Sequence, residues 1–399
     1  MIRLAQRVEQ IEPFWVMECA KAADEIARSP ACDPALGGER MLYLNIGEPD
    51  FGAPDAVNQA AQACIASRRT QYTHAAGLPA LRAAIASWYA TREGLHIDPA
   101  RIVVTAGASA ALQLLCTALI DPGDEVLMPD PSYPCNRHFV TATGGSARLL
   151  PSGAAQRFQL DAAAVDAAWG PRTRAVMLAS PSNPTGTSIA PDALRELVHT
   201  VRARGGLTIV DEIYLGLSYG DEPARSAAGL GEDVICVGSF SKYFGMTGWR
   251  LGWLVLPPEL VPAVEKLAQN LYICASSIAQ HAALACFEPA TLALCEQRVA
   301  ELRRRRDYIV PSLRALGLDV PVMPDGAFYV WADIGRHTGS GPGGSWDFCF
   351  DMMRRAHVAL TPGRDFGRAD TGRHARLSFA CSMDTLEAAV GRLGRELSR

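Results

Sequence analysis

The stretch Ser239-Phe-Ser-Lys-Tyr-Phe-Gly-Met-Thr-Gly-Trp-Arg-Leu-Gly252 is the most informative part of the sequence. It follows the short apolar run Val234–Val237, so Lys242 comes just after a predicted buried strand. A lysine in that position is poorly hydrated, which lowers its pKa and suits it to act as a nucleophile or a base. Only Lys21 and Lys266 compete for that role, because every other residue among the 38 lysines and arginines is an arginine.

Short apolar runs alternate with helical patterns from about residue 100 onward. The runs are rich in β-branched residues and apolar throughout, as expected of strands that are buried on both faces. This alternation predicts a largely parallel α/β sheet covered by helices, with ligands bound at the carboxyl ends of the strands. The predicted strands are Ile102–Val104, Glu125–Met128, Ala175–Leu178, Leu207–Val210, Val234–Val237 and Leu251–Leu256, and the helical patterns include Ala110–Leu119, Pro191–Arg204 and Pro258–Asn270.

The two ends of the chain differ in character from this middle part. Residues 8–28 predict an amphipathic helix that breaks or begins near Pro13, and Glu296–Tyr308 predicts an arginine-rich helix in a smaller α+β tail. We therefore expect a large domain over residues 46–290 and a small domain formed by residues 1–45 together with 291–399. A chain of 399 residues is long enough for two such domains.

Composition excludes several classes of protein. Hydrophobic residues make up 49% of the chain and charged residues 20%, which excludes global disorder. The net charge of −4 provides no basic field for nucleic acid or an anionic membrane. The eleven cysteines are scattered without metal-ligand spacing, and the first residues lack the apolar core of a signal peptide. We therefore expect a cytoplasmic protein with reduced cysteines and no metal site.

Polar residues with distinct chemistry follow several of the predicted strands. Residues 103–109 enter a helix through small residues that suit an anion, and Asp211 ends a buried strand with a carboxylate that could face a cationic ring. The turn 181–186 fixes the Asn183 amide in one direction. Each stretch by itself also fits an ordinary turn, helix cap or ion pair. Together with Lys242, however, they suit one ligand, pyridoxal phosphate.

The same motifs carry a resemblance to a known family. The chain resembles the class I/II aminotransferases of the pyridoxal-phosphate-dependent fold-type I superfamily, from about residue 10 to the C-terminus. The resemblance implies a mostly parallel seven-stranded sheet between helices, with a smaller α+β domain. The matching motifs are residues 239–252, Asn183-Pro-Thr-Gly186, Asp211-Glu-Ile-Tyr214, Arg376-Leu-Ser-Phe-Ala380, residues 45–51 and Tyr72-Thr-x-x-x-Gly77.

The resemblance implies roles for the residues that would contact the cofactor. Lys242 forms the internal aldimine and later moves a proton between the substrate Cα and the cofactor C4′. Asp211 pairs with the pyridinium nitrogen, Tyr214 and Asn183 hydrogen-bond the phenolic oxygen, and Tyr133 stacks on the ring. The residues that would hold the phosphate are Gly107, Ala108, Ser109, Ser239, Ser241 and Arg250.

The resemblance also implies a substrate clamp and a subunit arrangement. Arg376 binds the substrate α-carboxylate, assisted by the main-chain N–H of Gly47 and by Asn183. Tyr72 reaches the phosphate of the other subunit, so we expect a homodimer with shared active sites.

The predicted reaction is a ping-pong transfer of an amino group from an L-amino acid to a 2-oxo acid. It runs through the Lys242 aldimine, a quinonoid and pyridoxamine phosphate. Ser109 stands where one aspartate-specific branch of the family has a lysine, which argues against strict aspartate specificity. A side-chain pocket lined by Phe14, Trp15, Ile46 and Tyr272 would fit a neutral or aromatic amino acid.

Two alternatives use the same cofactor. A carbon–sulfur β-lyase resembling cystathionine β-lyase has the same fold and also begins by removing the Cα proton, so the lysine site alone does not separate it from an aminotransferase. A regulatory protein that keeps pyridoxal phosphate without turnover usually carries a DNA-binding helical module, for which this sequence offers no spare N-terminal segment.

Overall fold

The computed structural model describes residues 2–220, 225–338 and 343–398. The strands are β1 Leu42–Tyr43, β2 Ile102–Thr105, β3 Glu125–Asp130, β4 Ser146–Pro151, β5 Thr173–Ala179, β6 Leu207–Asp211, β7 Ile235–Ser239, β8 Gly252–Val255, β9 Tyr329–Asp333, β10 Val358–Ala359, β11 Thr361–Pro362 and β12 His374–Ser378. The α-helices are α1 Gln6–Glu9, α2 Trp15–Ala27, α3 Asp55–Ala66, α4 Pro79–Glu93, α5 Ala108–Leu119, α6 Pro134–Ala142, α7 Ala162–Ala168, α8 Pro191–Ala203, α9 Val261–Leu271, α10 Ser277–Ala283, α11 Pro289–Ala315, α12 Ser345–Arg355 and α13 Met383–Leu397.

A seven-stranded sheet forms the centre of the molecule, in the order β2-β8-β7-β6-β5-β3-β4. The strands from β4 to β7 in this order pair in parallel, while β8 runs antiparallel to both of its neighbours, β7 and β2. Because β8 is reversed, β2 has the same direction as β7. The carboxyl ends of six strands therefore meet at one edge of the sheet. This arrangement confirms the predicted α/β class with a mostly parallel seven-stranded sheet.

All six apolar runs are strands of the central sheet, and all of their ends lie within two residues of the predicted bounds. The apolar pattern did not indicate β4, which is the edge strand next to β3. Its residues alternate between exposed and more buried positions, because one of its sides faces solvent. A strand of this kind lacks the continuous apolar run by which the other six were recognised.

The N-terminal region forms two helices where the sequence predicted one interrupted helix. The short helix α1 ends before Pro13, and α2 begins after it. One side of α2 packs against α12, β10 and β11, with Cys19 and Ala23 buried beside Met353. The N-terminal helix thus contacts elements of the C-terminal segment, while the domain limits at residues 45/46 and 290/291 stay a prediction.

Two smaller sheets lie beside the central one. β1 pairs in parallel with β10, and β12 lies between β11 and β9 in an antiparallel three-stranded sheet. The antiparallel register sets Arg376 opposite Trp331 and Ser378 opposite Tyr329. The N-terminal segment is therefore joined by hydrogen bonds to the C-terminal one, and both approach the edge of the central sheet where the strands end.

No single helix of the described segments is both long and apolar enough to cross a membrane. One bent pair of helices, Ser277–Phe287 with Pro289–Ala315, is long and apolar enough when the two are counted together, by length and composition only. The uncharged stretch 102–120 contains all of β2 and all of α5.

All eleven cysteines are free thiols.

Candidate active site

Nearly all of the predicted site residues line one cavity of about 310 Å³ at the carboxyl edge of the central sheet. A larger cavity of about 650 Å³ lies elsewhere, but its wall contains no lysine, so the predicted lysine chemistry cannot take place there. The predicted residues that line the smaller cavity are Gly47, Ala108, Ser109, Tyr133, Asn183, Asp211, Tyr214, Ser239, Ser241, Lys242, Arg250 and Arg376.

Lys242 lies just beyond the end of β7, where its side chain enters the cavity. Its Nζ donates a 2.7 Å hydrogen bond to the carbonyl oxygen of Gly47. Burial lowers the pKa of the amine to about 8, with the charge of Arg250 acting in the same direction and the carboxylate of Glu48 opposing both. The amine is therefore close to losing its proton near neutral pH, as nucleophilic attack and proton transfer require.

The other two lysines lie in ordinary surface positions. Lys21 is exposed on α2 and forms an ion pair of 2.7 Å with Glu18 in the same helix. Lys266 is exposed on α9. Neither lines the cavity, which leaves Lys242 as the lysine available for chemistry there.

Asp211 is the last residue of β6 and is 5% exposed. Burial raises its pKa to about 7, although the N–H of Ile213, which donates to Oδ1 at 3.2 Å, and the charge of Lys242 both lower it. A buried carboxylate with so little compensation calls for a cationic partner. A protonated ring nitrogen at this edge of the cavity would supply one, so Asp211 fits the predicted cofactor.

A set of anion-binding donors surrounds the start of α5. Gly107 precedes that helix with a φ of +87°, and a Cβ atom at this position would lie 2.7 Å from Nη2 of Arg250. The guanidinium therefore reaches the helix start only because residue 107 has no side chain. Arg250 Nη1 donates to the Thr247 carbonyl at 2.9 Å, and the N–H of Ser241 donates to Ser239 Oγ at 3.1 Å. Helix N–H groups, hydroxyls and a guanidinium together fit a phosphate.

Arg376 is 2% exposed in β12 and has no carboxylate as an ion-pair partner among the described residues. Its Nη1 donates to Oδ1 of Asn183 at 3.0 Å, and its Nη2 donates to the carbonyl of Asn45 at 2.6 Å. The buried Nε has no hydrogen-bond partner in the described segments. A buried guanidinium with neutral partners is suited to bind a carboxylate, and the role of Arg376 as the substrate clamp stays a prediction.

The cavity also contains residues that sequence reasoning missed. Tyr329 lies between Tyr214 and Arg376, and its hydroxyl is 2.8 Å from that of Tyr214. Its place follows from the pairing of β9 with β12, which the sequence did not reveal; no local motif around Tyr329 marks it as a site residue. The other missed lining residues with polar side chains are Asn45, Glu48 and Thr247.

The apolar wall of the cavity agrees only in part with the prediction. Phe14 and Ile46 line it, but the predictions of Trp15 and Tyr272 are wrong for the cavity of this chain. Trp15 packs edge-on against Trp346 instead, because successive helix residues differ in direction by about 100°. Tyr272 follows the end of α9 and is 39% exposed. The wall is completed by Val16, Met17, Ala20, Leu112, Ala179 and Ile213.

Tyr72 lies outside the cavity of its own chain and is 79% exposed. The predicted contact of Tyr72 with the phosphate of another subunit stays a prediction. Within the described segments, no group of three or more His, Cys, Asp or Glu side chains is arranged to hold a metal ion.

Comparison with known proteins adds independent information. The family model for aminotransferase class I and II matches residues 39–393. The valine–pyruvate aminotransferase of Mycobacterium tuberculosis is 37% identical, with 96% of both chains covered, and the aspartate aminotransferase of Geobacillus stearothermophilus is 33% identical, with 99% of this chain and 98% of that relative covered. A crystal structure of an aminotransferase from Mycobacterium tuberculosis superposes with a TM-score of 0.93 at 37% identity, covering all of both chains.

The neighbour of Asp211 in the sequence, Glu212, leads to a prediction about stability. Its carboxylate is 5% exposed and accepts hydrogen bonds from the N–H of Ala227 at 2.6 Å and from Ser226 Oγ at 2.8 Å. Burial nevertheless raises its pKa to about 8. Since the folded-state pKa lies above the unfolded value of about 4.3, the folded protein binds the extra proton, and this stabilisation is lost as the pH rises through about 8.

Glutamine has nearly the same volume as glutamate and no charge. We therefore expect the free energy of unfolding of Glu212→Gln to decrease less between pH 5 and pH 9 than that of the native chain. At pH 9 the variant should be more stable than the native chain by about 1–3 kcal/mol, measured by thermal unfolding. Glu259→Gln, at an exposed position, serves as the control and should follow the native chain. An identical pH dependence of native protein and Glu212→Gln would contradict the prediction.

Proposed function

The chain belongs to the aminotransferase class I and II family, and on that premise we propose that it transfers the amino group of an L-amino acid to a 2-oxo acid with pyridoxal phosphate bound at Lys242. One observation carries the proposal: a half-buried amine, a buried carboxylate and a buried guanidinium line the same cavity. The enzyme is thus a transaminase, and the cofactor, the mechanism and the substrate class are the parts that we propose.

Different residues around the cavity would bind different groups of the proposed cofactor. Lys242 would bind its aldehyde and Asp211 its ring nitrogen, while Tyr133, which lies in the cavity wall, would stack on its ring. The donors at the start of α5, with Ser239, Ser241 and Arg250, would hold its phosphate. When bound, pyridoxal phosphate supplies an electron sink that allows the Cα proton of the substrate to be removed.

In the proposed reaction, Arg376 orients the substrate and Lys242 transfers the proton. The planar guanidinium of Arg376 would orient the substrate carboxylate, and its 3.0 Å hydrogen bond to Asn183 fixes the rotation of the guanidinium within its own plane. With the carboxylate fixed, the Cα–H bond faces a defined direction. Burial lowers the pKa of the Lys242 amine to about 8, so this amine can accept the proton from the substrate Cα and would deliver it to the cofactor carbon that takes over the amino group.

We propose that the preferred substrates have neutral, apolar side chains. The wall formed by Phe14, Val16, Met17 and Ile46 offers no charge to a side-chain carboxylate, and Ser109 is uncharged. The name of the relative from Mycobacterium tuberculosis, a valine–pyruvate aminotransferase, is consistent with such a preference, whereas the aspartate aminotransferase relative shows that the family also accepts acidic substrates.

We propose a cytoplasmic homodimer in which Tyr72 of each subunit contributes to the other's phosphate site. Tyr72 is exposed, and the exposed apolar residues Leu271, Tyr272 and Ile273 lie in a neighbouring part of the surface. Ser277 Oγ donates to the Gln71 carbonyl, which brings the two segments together. An exposed apolar surface of this kind is typical of a subunit interface. The cytoplasmic location rests on the sequence expectation alone.

A half-reaction tests the function directly. An amino acid such as valine, added to the holoenzyme without any 2-oxo acid, should remove the visible absorption of the lysine-bound cofactor and release an equivalent of the corresponding 2-oxo acid.

The variant Lys242→Ala tests the role of the lysine. It should retain the cofactor noncovalently and lose turnover by at least about 10³-fold, since it lacks the proton-transferring amine.

Two outcomes would contradict this proposal. An unchanged spectrum with all twenty amino acids would exclude transamination. Release of pyruvate and ammonia from cystathionine without an added 2-oxo acid would instead assign a carbon–sulfur β-lyase.

Arg376→Lys tests the carboxylate clamp. The variant keeps the positive charge but loses the planar pair of donors, so KM for the amino acid should rise about 10- to 100-fold with a smaller change in kcat. Arg373→Lys, in which an exposed arginine paired with Asp333 is changed in the same way, is the matched control and should leave both constants unchanged. Equal KM values for Arg376→Lys and the native enzyme would remove Arg376 from the clamp.

A further inference from the structure

Tyr329 contacts both a residue of the proposed cofactor site, Tyr214, and the residue of the proposed substrate clamp, Arg376. It is 1% exposed at the start of β9, and its ring and hydroxyl have different neighbours. The hydroxyl lies 2.8 Å from that of Tyr214, while the guanidinium carbon of Arg376 lies 4.5 Å from the centre of the ring. Tyr329 therefore connects the residue expected at the phenolic oxygen of the cofactor with the residue expected at the substrate carboxylate.

The hydroxyl pair has a preferred direction once Tyr214 faces a ligand. Burial raises the pKa of both phenols, so each keeps its single proton at neutral pH. If Tyr214 directs its proton toward an acceptor in the cavity, it has only lone pairs left for Tyr329. Tyr329 must then donate to Tyr214, which both aims the O–H bond of Tyr214 and makes it a stronger donor.

The position of the Tyr329 hydroxyl is fixed by close packing. A Cβ atom at Gly47 would lie 2.4 Å from this oxygen, so even an alanine at residue 47 would displace it. The carbonyl of the same glycine accepts the hydrogen bond from Lys242 Nζ. The Tyr329 hydroxyl thus has little room to turn away from Tyr214, and its position is coupled to the backbone that holds the lysine.

The ring of Tyr329 supports the guanidinium of Arg376 from one side. The guanidinium carbon also lies 5.0 Å from the centre of the Phe366 ring. Contacts with the two rings restrict the plane of the guanidinium, and the hydrogen bonds to Asn183 and Asn45 fix its rotation within that plane. The ring and the hydroxyl of Tyr329 therefore act on different parts of the site.

We propose that Tyr329 is a positioning residue of the transamination site: its hydroxyl strengthens the hydrogen bond from Tyr214 to the phenolic oxygen of the cofactor, and its ring holds Arg376 in the plane that receives the substrate carboxylate. This inference rests on the proposed function. The hydroxyl and the ring of Tyr329 have separate effects, which the substitutions Tyr329→Phe and Tyr329→Leu distinguish.

Tyr329→Phe removes the hydroxyl and keeps the ring. Without the Tyr329 hydroxyl, Tyr214 becomes a weaker donor to the phenolic oxygen of the cofactor. The phenolic oxygen then interacts more strongly with the proton on the lysine-derived nitrogen, and that proton is held more tightly. The pH midpoint of the cofactor's absorption change should therefore move up by about half to one unit. KM for the amino acid should change less than about twofold, because the support of Arg376 remains. Tyr329→Leu removes the ring as well and should raise KM about five- to tenfold in addition.

Tyr219→Phe is the matched control. Tyr219 is also a buried tyrosine, 2% exposed, and its hydroxyl donates to the Ala327 carbonyl away from the cavity. Its loss should lower the melting temperature without moving the absorption midpoint. A purely structural role for the Tyr329 hydroxyl would make Tyr329→Phe behave in the same way, and an unshifted midpoint in a folded Tyr329→Phe holoenzyme would overturn the proposal.

A double-mutant cycle with Tyr214→Phe tests the route of the effect and provides a second measurement. If the Tyr329 hydroxyl acts through Tyr214, adding Tyr329→Phe to Tyr214→Phe should shift the midpoint no further. Fully additive shifts would contradict that route. The native holoenzyme separates this inference from the proposed function: a native chain that binds no cofactor at Lys242 refutes the function, whereas a normal native titration with no effect of Tyr329→Phe refutes only the inference.

Discussion

Three charged side chains, two of them buried and one half-buried, line one cavity without ion pairs among them, and this is the constraint on which the rest of the structure depends. Lys242 donates to a backbone carbonyl, Asp211 accepts from a backbone N–H, and Arg376 donates to an amide, a carbonyl and a hydroxyl. Removing such charges from water costs several kcal/mol each unless partners replace the lost hydration. A cofactor with an electrophilic carbon and a basic ring nitrogen, together with a substrate that has a carboxylate, offers those partners, and their binding offsets part of that cost.

The topology of the central sheet explains why these groups meet. β5, β6 and β7 run in parallel, so the turn that carries Asn183, the end residue Asp211 and the segment that carries Lys242 all project from the same edge. The reversed strand β8 separates β7 from β2 and leaves β2 parallel to β7, which brings the start of α5 to that edge as well. Arg376 arrives from a separate sheet, whose strand β12 pairs with β9. The substrate clamp and the cofactor residues thus come from different layers of the molecule.

The sequence predicted those parts of the structure that are marked by continuous local patterns. Six buried strands, the lysine segment and the polar strand ends were recognisable, because each depends on neighbours in the chain. The edge strand β4 was not indicated by its pattern, since exposure on one side interrupts its apolar run. Tyr329 was missed because its role follows from the register between β9 and β12, and Trp15 was misplaced because one step along a helix turns a side chain by about 100°. Edge position, helix direction and the register between distant strands decided these cases, and a local apolar or motif pattern does not report them.

The central claim is that the amine of Lys242 binds the cofactor covalently. Treating the holoenzyme with borohydride fixes such a bond irreversibly, and digestion followed by mass spectrometry locates the modified peptide. We expect the pyridoxyl label on Lys242, in the peptide that includes Ser239 and Ser241. A label on Lys21 or Lys266, or no label on any lysine of a protein that has bound the cofactor, would contradict it.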